Sequence, residues 1–290
     1  MSASIVTPES LTQLLTVVRA ATEEAATLVR AAYRKPFGVE HKGPVDLVTE
    51  YDRRSEQLLR ERLAPTGIPI VGEEAGGEWD RDRPAFFVDP IDGTTNFVHG
   101  HPFWCVSVGL VVDALPVLGV VIAPVLGVEW YGWLTGDARV ARRVERVSGP
   151  VEDDCKVSGV ARFTDALLAT GFPYERKNSV ENNFDAFVAI KSQCQAVRRC
   201  GSAALDLCLV ADGTYEGYWE RRLRPWDIAG GSAIVHAAGG KVTDFDAQHA
   251  FLHTGDVVAT NGPLHQELID ELARIHSSRS LMDSMPPSDD

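Results

Sequence analysis

The residues with the most chemical potential are acids that follow apolar runs. Asp89 and Asp92 are separated by Pro90 and Ile91 and followed by Gly93. Pro90 restricts one backbone angle, and Gly93 permits a tight turn into a helix expected to begin near Thr94. Such a helix start offers unpaired N–H groups, so one segment could supply two metal-ligating carboxylates and a seat for an anion. Taken alone, Asp-Pro and Asp-Gly read equally as turn dipeptides. Glu73-Glu74 alone reads as a solvated loop pair, and Asp227 alone as an acid at a helix start after Pro225 and Trp226.

Together they point further, because Glu73, Asp89 and Asp227 each lie where an apolar strand ends or a helix begins. If these carboxylates and Asp92 converge, each pair about 4 Å apart repels by roughly 4 kcal/mol at an effective dielectric near 20. Four such groups oppose folding unless they bind a cation or take up protons. All-oxygen ligation suits Mg²⁺ or Mn²⁺ rather than zinc. Two such ions suit in-line displacement at phosphorus.

The elements that must position these acids are legible in outline. Thr7-Pro8-Glu9 opens a helix expected to run to about Arg34, with Leu11, Leu14, Leu15, Val18 and Ala25 on one face. Thr49-Glu50-Tyr51-Asp52 has a capping-box outline and opens a second. Strands are expected at 68–71, 85–88, 105–112, 117–122, 128–134, 166–170, 214–219 and 257–260, with helices at 180–193, 201–211, 225–238 and 263–276. The charged stretch from Gly136 to Gly159 reads as irregular, and Arg139, Arg142, Arg143 and Arg146 read as a charged helix face. A soft boundary near residue 150 separates an N-terminal half, 1–150, from a C-terminal half, 151–280, with a disordered tail at 281–290. The interleaving indicates a mixed α/β layered fold.

Composition narrows the partners. The 290 residues carry a net charge of −13, which argues against a nucleic-acid substrate. The apolar stretch 103–128 is interrupted by Asp113, Pro116 and Pro124, so no membrane span is expected. Neither is a secretory signal. Cys105, Cys155, Cys194, Cys200 and Cys208 include no CxxC pair and read as reduced, mostly buried thiols, consistent with a cytoplasmic protein. His249, His253 and His265 lack ligand spacing and read as surface residues.

Four blocks carry a family resemblance. Lys42-Gly43-Pro44-Val45-Asp46-Leu47-Val48-Thr49-Glu50-Tyr51-Asp52, Gly72-Glu73-Glu74, Asp89-Pro90-Ile91-Asp92-Gly93-Thr94-Thr95-Asn96-Phe97-Val98-His99 and Pro225-Trp226-Asp227-Ile228-Ala229-Gly230-Gly231 resemble the signature blocks of the inositol monophosphatase family, in the family's order. The resemblance implies a layered αβαβα sandwich of the inositol monophosphatase and fructose-1,6-bisphosphatase type. It further implies a homodimer, inhibition by lithium, and phosphomonoester hydrolysis dependent on two or three Mg²⁺ ions, for which Mn²⁺ may substitute. Glu73 and Asp89, with the Ile91 carbonyl, would hold the first metal. Asp89 would bridge to a second metal completed by Asp92 and Asp227. Thr94 and Asp52 would orient and deprotonate the attacking water. The N–H groups of Gly93 and Thr94 would grip phosphate, and Glu74 would stay outside the ligand set.

Gly201-Ser202-Ala203 and Glu220 would meet the polyol. Arg221, Arg222 and Arg224 read as solvated. One departure is Gly136-Asp137-Ala138-Arg139, where the family carries a glycine-rich turn with an asparagine. The expected substrate is a small polyol phosphate, myo-inositol 1-phosphate first. Histidinol phosphate, fructose 1,6-bisphosphate or a nucleotide 3′- or 2′-phosphate are alternatives within the enzyme class. A non-catalytic partner-binding protein on the same fold is the alternative outside it.

Overall fold

In the computed structural model, which describes residues 6–36, 38–41, 47–147, 149–173 and 182–283, the first helix, α1, is Pro8–Ala32. Thr7 caps it by accepting from the Ser10 N–H at 3.2 Å. After β1 (Val39–His41) and β2 (Leu47–Thr49), Thr49 caps α2 (Glu50–Leu63) in a capping box with Asp52. Residues 42–46 of the first signature block lie outside the described residues.

A seven-stranded sheet follows: β3 (Ile70–Gly72), β4 (Ala85–Asp92), β5 (Cys105–Val112), β6 (Leu115–Ala123), β7 (Val128–Thr135), β8 (Ala138–Glu145) and β9 (Val151–Asp154), ordered as in the chain. Only β3–β4 pair in parallel; the others form an antiparallel meander. The short helix α3 (Thr94–Val98) leaves the end of β4. The second sheet, ordered β11-β10-β12-β14-β13, is built from β10 (Leu167–Thr170), β11 (Ala196–Arg198), β12 (Gly217–Glu220), β13 (Lys241–Thr243) and β14 (Val257–Thr260). Helices α4 (Phe184–Lys191), α5 (Ala203–Ala211), α6 (Pro225–Ala237), α7 (Phe251–Thr254) and α8 (His265–Asp283) complete the fold.

Three cores define five layers. Leu11, Leu15 and Val18 of α1 and Leu59 of α2 pack with Phe86, Val106 and Val120 on one face of the large sheet. Its other face, with Phe87, Val111 and Trp130, shares a core with α5, α6 and one face of the small sheet. The far face of the small sheet packs against α4 and α8 through Ile190, Trp219, Leu268 and Leu272. The order is αβαβα, as the resemblance implies. Every residue of β4 and β5 is buried, which explains their nearly unbroken apolar runs. Helix α6 lies directly on this sheet, because a Cβ at Gly119 would stand 2.0 Å from the Gly230 carbonyl oxygen. That contact brings the start of α6 to the end of β4. No helix among the described residues is long and apolar enough to cross a membrane.

Expectations for the four arginines, for His265 and for the end of the last helix are corrected. The stretch read as irregular contains β8 and β9, so the four arginines do not form a helix face. Their helical spacing is a coincidence: Arg142 reaches Glu152 at 3.6 Å, and Arg143 reaches Asp212 at 3.5 Å. Strand β9, just past residue 150, pairs with β8 and belongs to the N-terminal sheet. His265 is buried rather than at the surface, held 3.0 Å from Thr243 Oγ1 and 2.9 Å from Thr260 Oγ1, and burial pulls its pKa down to about 4. The last helix continues past His276 to Asp283, so residues 281–283 of the expected disordered tail are helical, and 284–290 lie outside the described residues.

Glu129 on β7 ties this sheet to α1. It is buried, 1% exposed, and accepts from Arg19 at 2.7 and 3.0 Å and from Arg146 at 2.5 Å. The two arginine side chains are 33% and 36% exposed and can partly rehydrate. Glu129→Ala is therefore expected to cost about 2 kcal/mol, less than the roughly 3–5 kcal/mol of breaking a fully buried pair. Urea unfolding checks this: an unchanged midpoint would mean that the pair contributes nothing.

Candidate active site

The site lies where β4 ends, facing the starts of α2, α5 and α6. Asp52 is fully buried on the first turn of α2. Its Oδ2 accepts from the Thr49 N–H at 2.7 Å and the Thr49 hydroxyl at 2.6 Å. Its Oδ1 faces the Thr94 hydroxyl at 3.2 Å. The same hydroxyl lies 3.0 Å from the Ile91 carbonyl oxygen. Thr94 has a single proton to donate, so it can serve only one of these acceptors at a time.

The bend at Asp89–Gly93 is built by its own residues. Asp89 is 2% exposed, and its Oδ1 accepts from the Ile91 N–H at 3.0 Å. The β4–β5 register shifts between Asp89 and Asp92, where the strand bends toward α3. Gly93 adopts φ 96°, and a Cβ there would lie 3.1 Å from the Gly201 carbonyl oxygen and 3.2 Å from that of Phe103. Glycine thus serves both conformation and close approach. Asn96 Nδ2 donates to the Phe103 and Cys200 carbonyls at 2.7 and 2.8 Å, stapling the turn of α3 to the turn before α5. The sequence alone gives Asn96 no role; its amide after Gly-Thr-Thr was the available signal.

Asp92 is turned onto the start of α5. Its Oδ2 accepts from the Ser202 hydroxyl at 2.6 Å and the Ala204 N–H at 2.7 Å. Ser202, expected to face substrate, is buried and also caps α5 through the Leu205 N–H. Its hydroxyl donates to Asp92. Asp227, on the first turn of α6, accepts from the Arg224 N–H at 2.7 Å.

The carboxylates interact strongly. Burial, then the charges of Glu73, Asp92, Asp227 and Asp52, push the Asp89 carboxyl well above its usual range. Burial, Glu73 and Asp92 do the same to Asp227. Burial raises Asp92 to about 6 despite the donors from Ser202 and α5. These acids feel one another's charge without closing into a cage: among the described residues, no three His, Cys, Asp or Glu side chains stand together as a ready-made ion site. One oxygen each of Asp89, Asp92 and Asp227 is committed to the protein, and the other is the candidate donor. The Glu74 N–H donates to the Glu56 carboxylate.

Glu220 ends β12, close enough to Asp92 for their charges to interact. Its carboxylate lies against Gly171, where a Cβ would come within 1.9 Å of it. Burial pushes it up to about 7, opposed by the Tyr218 hydroxyl, which donates at 2.5 Å, and by Arg199. Gly171, Tyr218 and Arg199 were not anticipated, because they lie far from the motifs in sequence. Arg221, expected to be solvated, bonds Asp256 at 3.1 Å and stacks 4.3 Å over the Phe245 ring.

Comparison with known proteins shows the same fold in proteins of one family. Residues 10–278 match the model of the inositol monophosphatase family. The chain is 38% identical over 274 residues to an inositol-1-monophosphatase of Synechocystis, covering 93% of this chain and 92% of that protein. It is 35% identical to the Nus factor SuhB of Pseudomonas aeruginosa, covering 87% and 92%. The solved structure of an inositol monophosphatase from Anabaena superposes with a TM-score of 0.78 at 33% identity, covering 91% of this chain and 96% of that one.

Proposed function

The chain belongs to the inositol monophosphatase family, and we propose that it hydrolyses a small polyol monophosphate, myo-inositol 1-phosphate first, to the free polyol and inorganic phosphate. The observation that carries this reading is buried Asp89, whose carboxyl feels the charges of Glu73, Asp92 and Asp227, next to the Asp52–Thr94 pair. Relatives named inositol monophosphatases support the substrate class.

The donor set fits a hard divalent cation, since it consists of carboxylates and a backbone carbonyl whose mutual repulsion a cation would relieve. Glu73, Asp89 and the Ile91 carbonyl would hold one ion, and Asp89, Asp92 and Asp227 a second. Such ions, when bound, acidify water and neutralise charge on the phosphate and leaving oxygens. We assign this role to Mg²⁺, two or three per site, with Mn²⁺ able to substitute and Li⁺ inhibitory.

The chain's own groups move the proton. Asp52 Oδ2 is occupied by Thr49, and Oδ1 faces the Thr94 hydroxyl. When Thr94 passes its proton to Asp52, its oxygen can accept one from the attacking water. The N–H groups of Gly93 and Thr94 bind phosphate oxygens. Backbone groups of Gly201 and Ala203 orient the polyol, and Glu220 bonds its hydroxyls. With a pKa near 7, Glu220 is able to accept from a hydroxyl or donate to one. A homodimer in the cytoplasm completes the proposal. The SuhB relatives raise an added partner-binding role, but this chain keeps Asp92, Thr94 and Asp227, which binding alone would not require.

Initial rates of phosphate release from myo-inositol 1-phosphate, histidinol phosphate, fructose 1,6-bisphosphate and 3′-AMP test the assignment. The kcat/KM for the inositol ester is expected to exceed each of the others by about tenfold or more, as a site that hydrogen-bonds hydroxyls should discriminate. Faster turnover of histidinol phosphate would reassign the substrate.

A further inference from the structure

Glu73 sits on a turn between β3 and β4 that is wrapped around one buried acid of α2. Glu56 lies one helical turn beyond Asp52 and is 1% exposed. Its Oε2 accepts from the Glu74 N–H at 2.6 Å, and its Oε1 accepts from the Ala75 N–H at 3.0 Å. Arg60 donates to Oε1 at 2.8 Å and to the Ile70 carbonyl at 3.1 Å, and it also reaches the Gly76 carbonyl. The turn closes on itself where the Gly72 N–H donates to the Gly76 carbonyl at 3.0 Å. A Cβ at Gly72 would stand 2.3 Å from the Glu56 carboxylate, so a larger residue there would have to displace it. Glu56 and Arg60 thus grip the backbone on both sides of Glu73 while touching no reacting atom.

We propose that Glu56 is a positioning residue: its carboxylate, clamped by Arg60, holds the Gly72–Gly77 turn closed and determines where Glu73 presents its oxygens to a divalent cation. This rests on the reading of Glu73 as a metal ligand. One turn of α2 therefore serves the site twice, with Asp52 receiving the proton and Glu56 shaping the ligand loop. Groups that orient a ligand from behind act chiefly on metal affinity. Glutamine is nearly isosteric but offers one oxygen where Glu56 serves three donors, so its NH₂ end must face a donor that loses its acceptor.

The test is calorimetric titration of the full chain with Mn²⁺ alone, beside phosphate release at saturating Mn²⁺. Glu56→Gln is expected to weaken Mn²⁺ binding about tenfold or more, with kcat at saturating Mn²⁺ within about threefold and an unchanged substrate KM. Parent-like Mn²⁺ affinity in Glu56→Gln would overturn the proposal. Glu73→Gln separates it from the reading beneath: unaltered Mn²⁺ affinity there removes the ligand assignment itself, whereas a loss there beside a parent-like Glu56→Gln removes only the positioning role. Amide hydrogen exchange on the parent keeps the idea testable should Glu56→Gln fail to fold. The Glu74 and Ala75 amides must exchange slowly, and fast exchange at both would overturn it.

Discussion

Asp92→Asn will lower turnover by on the order of a thousandfold, about 4 kcal/mol in the activation barrier, and leave the fold intact. The carboxylate of Asp92 does two separable things. Its Oδ2 caps α5 by accepting from Ser202 and the Ala204 N–H. An asparagine oxygen accepts the same two bonds, so the start of α5 keeps its partner. What the variant lacks is charge, in a place where burial already pushes the acid up to about 6. A neutral amide avoids that cost, and the thermal midpoint is expected to be equal to or above the parent's. The cation site proposed with Asp89 and Asp227 loses one anionic donor and, with it, charge compensation for the phosphate. Phosphate release and circular dichroism measured together decide the matter. Parent-like activity in a folded Asp92→Asn protein would count directly against the metal scheme.

In metal-free protein, the thermal midpoint will fall between pH 6.5 and 8, and a divalent cation will reverse that trend. Asp92 and Glu220 are raised to about 6 and 7, and Asp89 and Asp227 well above their usual range. Carboxyls in the unfolded chain titrate near 4. At pH values between, the folded state keeps protons that the unfolded state has released. The stability these groups confer is therefore complete below about pH 4 and is lost as pH rises through the folded values. A tenfold difference in proton affinity between the two states is worth about 1.4 kcal/mol. His236 and His265 act oppositely: burial holds both near 4, so their contribution grows until about pH 6.5 and is then constant. Above that point the carboxyls act unopposed by them.

Cation binding requires deprotonated ligands, so added Mg²⁺ should raise the midpoint more at pH 8 than at pH 6.5. Excess EDTA should remove both that increment and turnover. Thermal scans with EDTA or Mg²⁺ across this range provide the check. A flat metal-free profile, or a Mg²⁺ effect independent of pH, would show that these acids do not share a cation.

Much of the scaffold was legible because its signals are local. Thr49 and Asp52 form the capping box that their spacing suggested, and Val257–Thr260 is a strand with the expected bounds. Strand β8 was missed, since its arginines match a helical period as well as a strand one, and β9 because Val151-Glu152-Asp153-Asp154 has a single apolar residue. The partners that decide between them, Glu152 and Asp212, are supplied by other segments. His265 was misplaced for a related reason: imidazole spacing says nothing about the two threonine hydroxyls that surround it.

At the site, the chain by itself determined which groups are present and how each is mounted: acids at strand ends and helix starts, a glycine that permits φ 96° after Asp92, and a hydroxyl next to it. Local geometry depends on bonded neighbours, and residue types carry it. Only the tertiary structure decided which atoms are already spent. Ser202 bonds Asp92, Arg221 bonds Asp256, and Glu56 lies beneath the turn of Glu73. Those assignments depend on the close approach of segments tens of residues apart, such as α6 against β6 at Gly119 and Gly230, and no spacing along a chain encodes a distance through space.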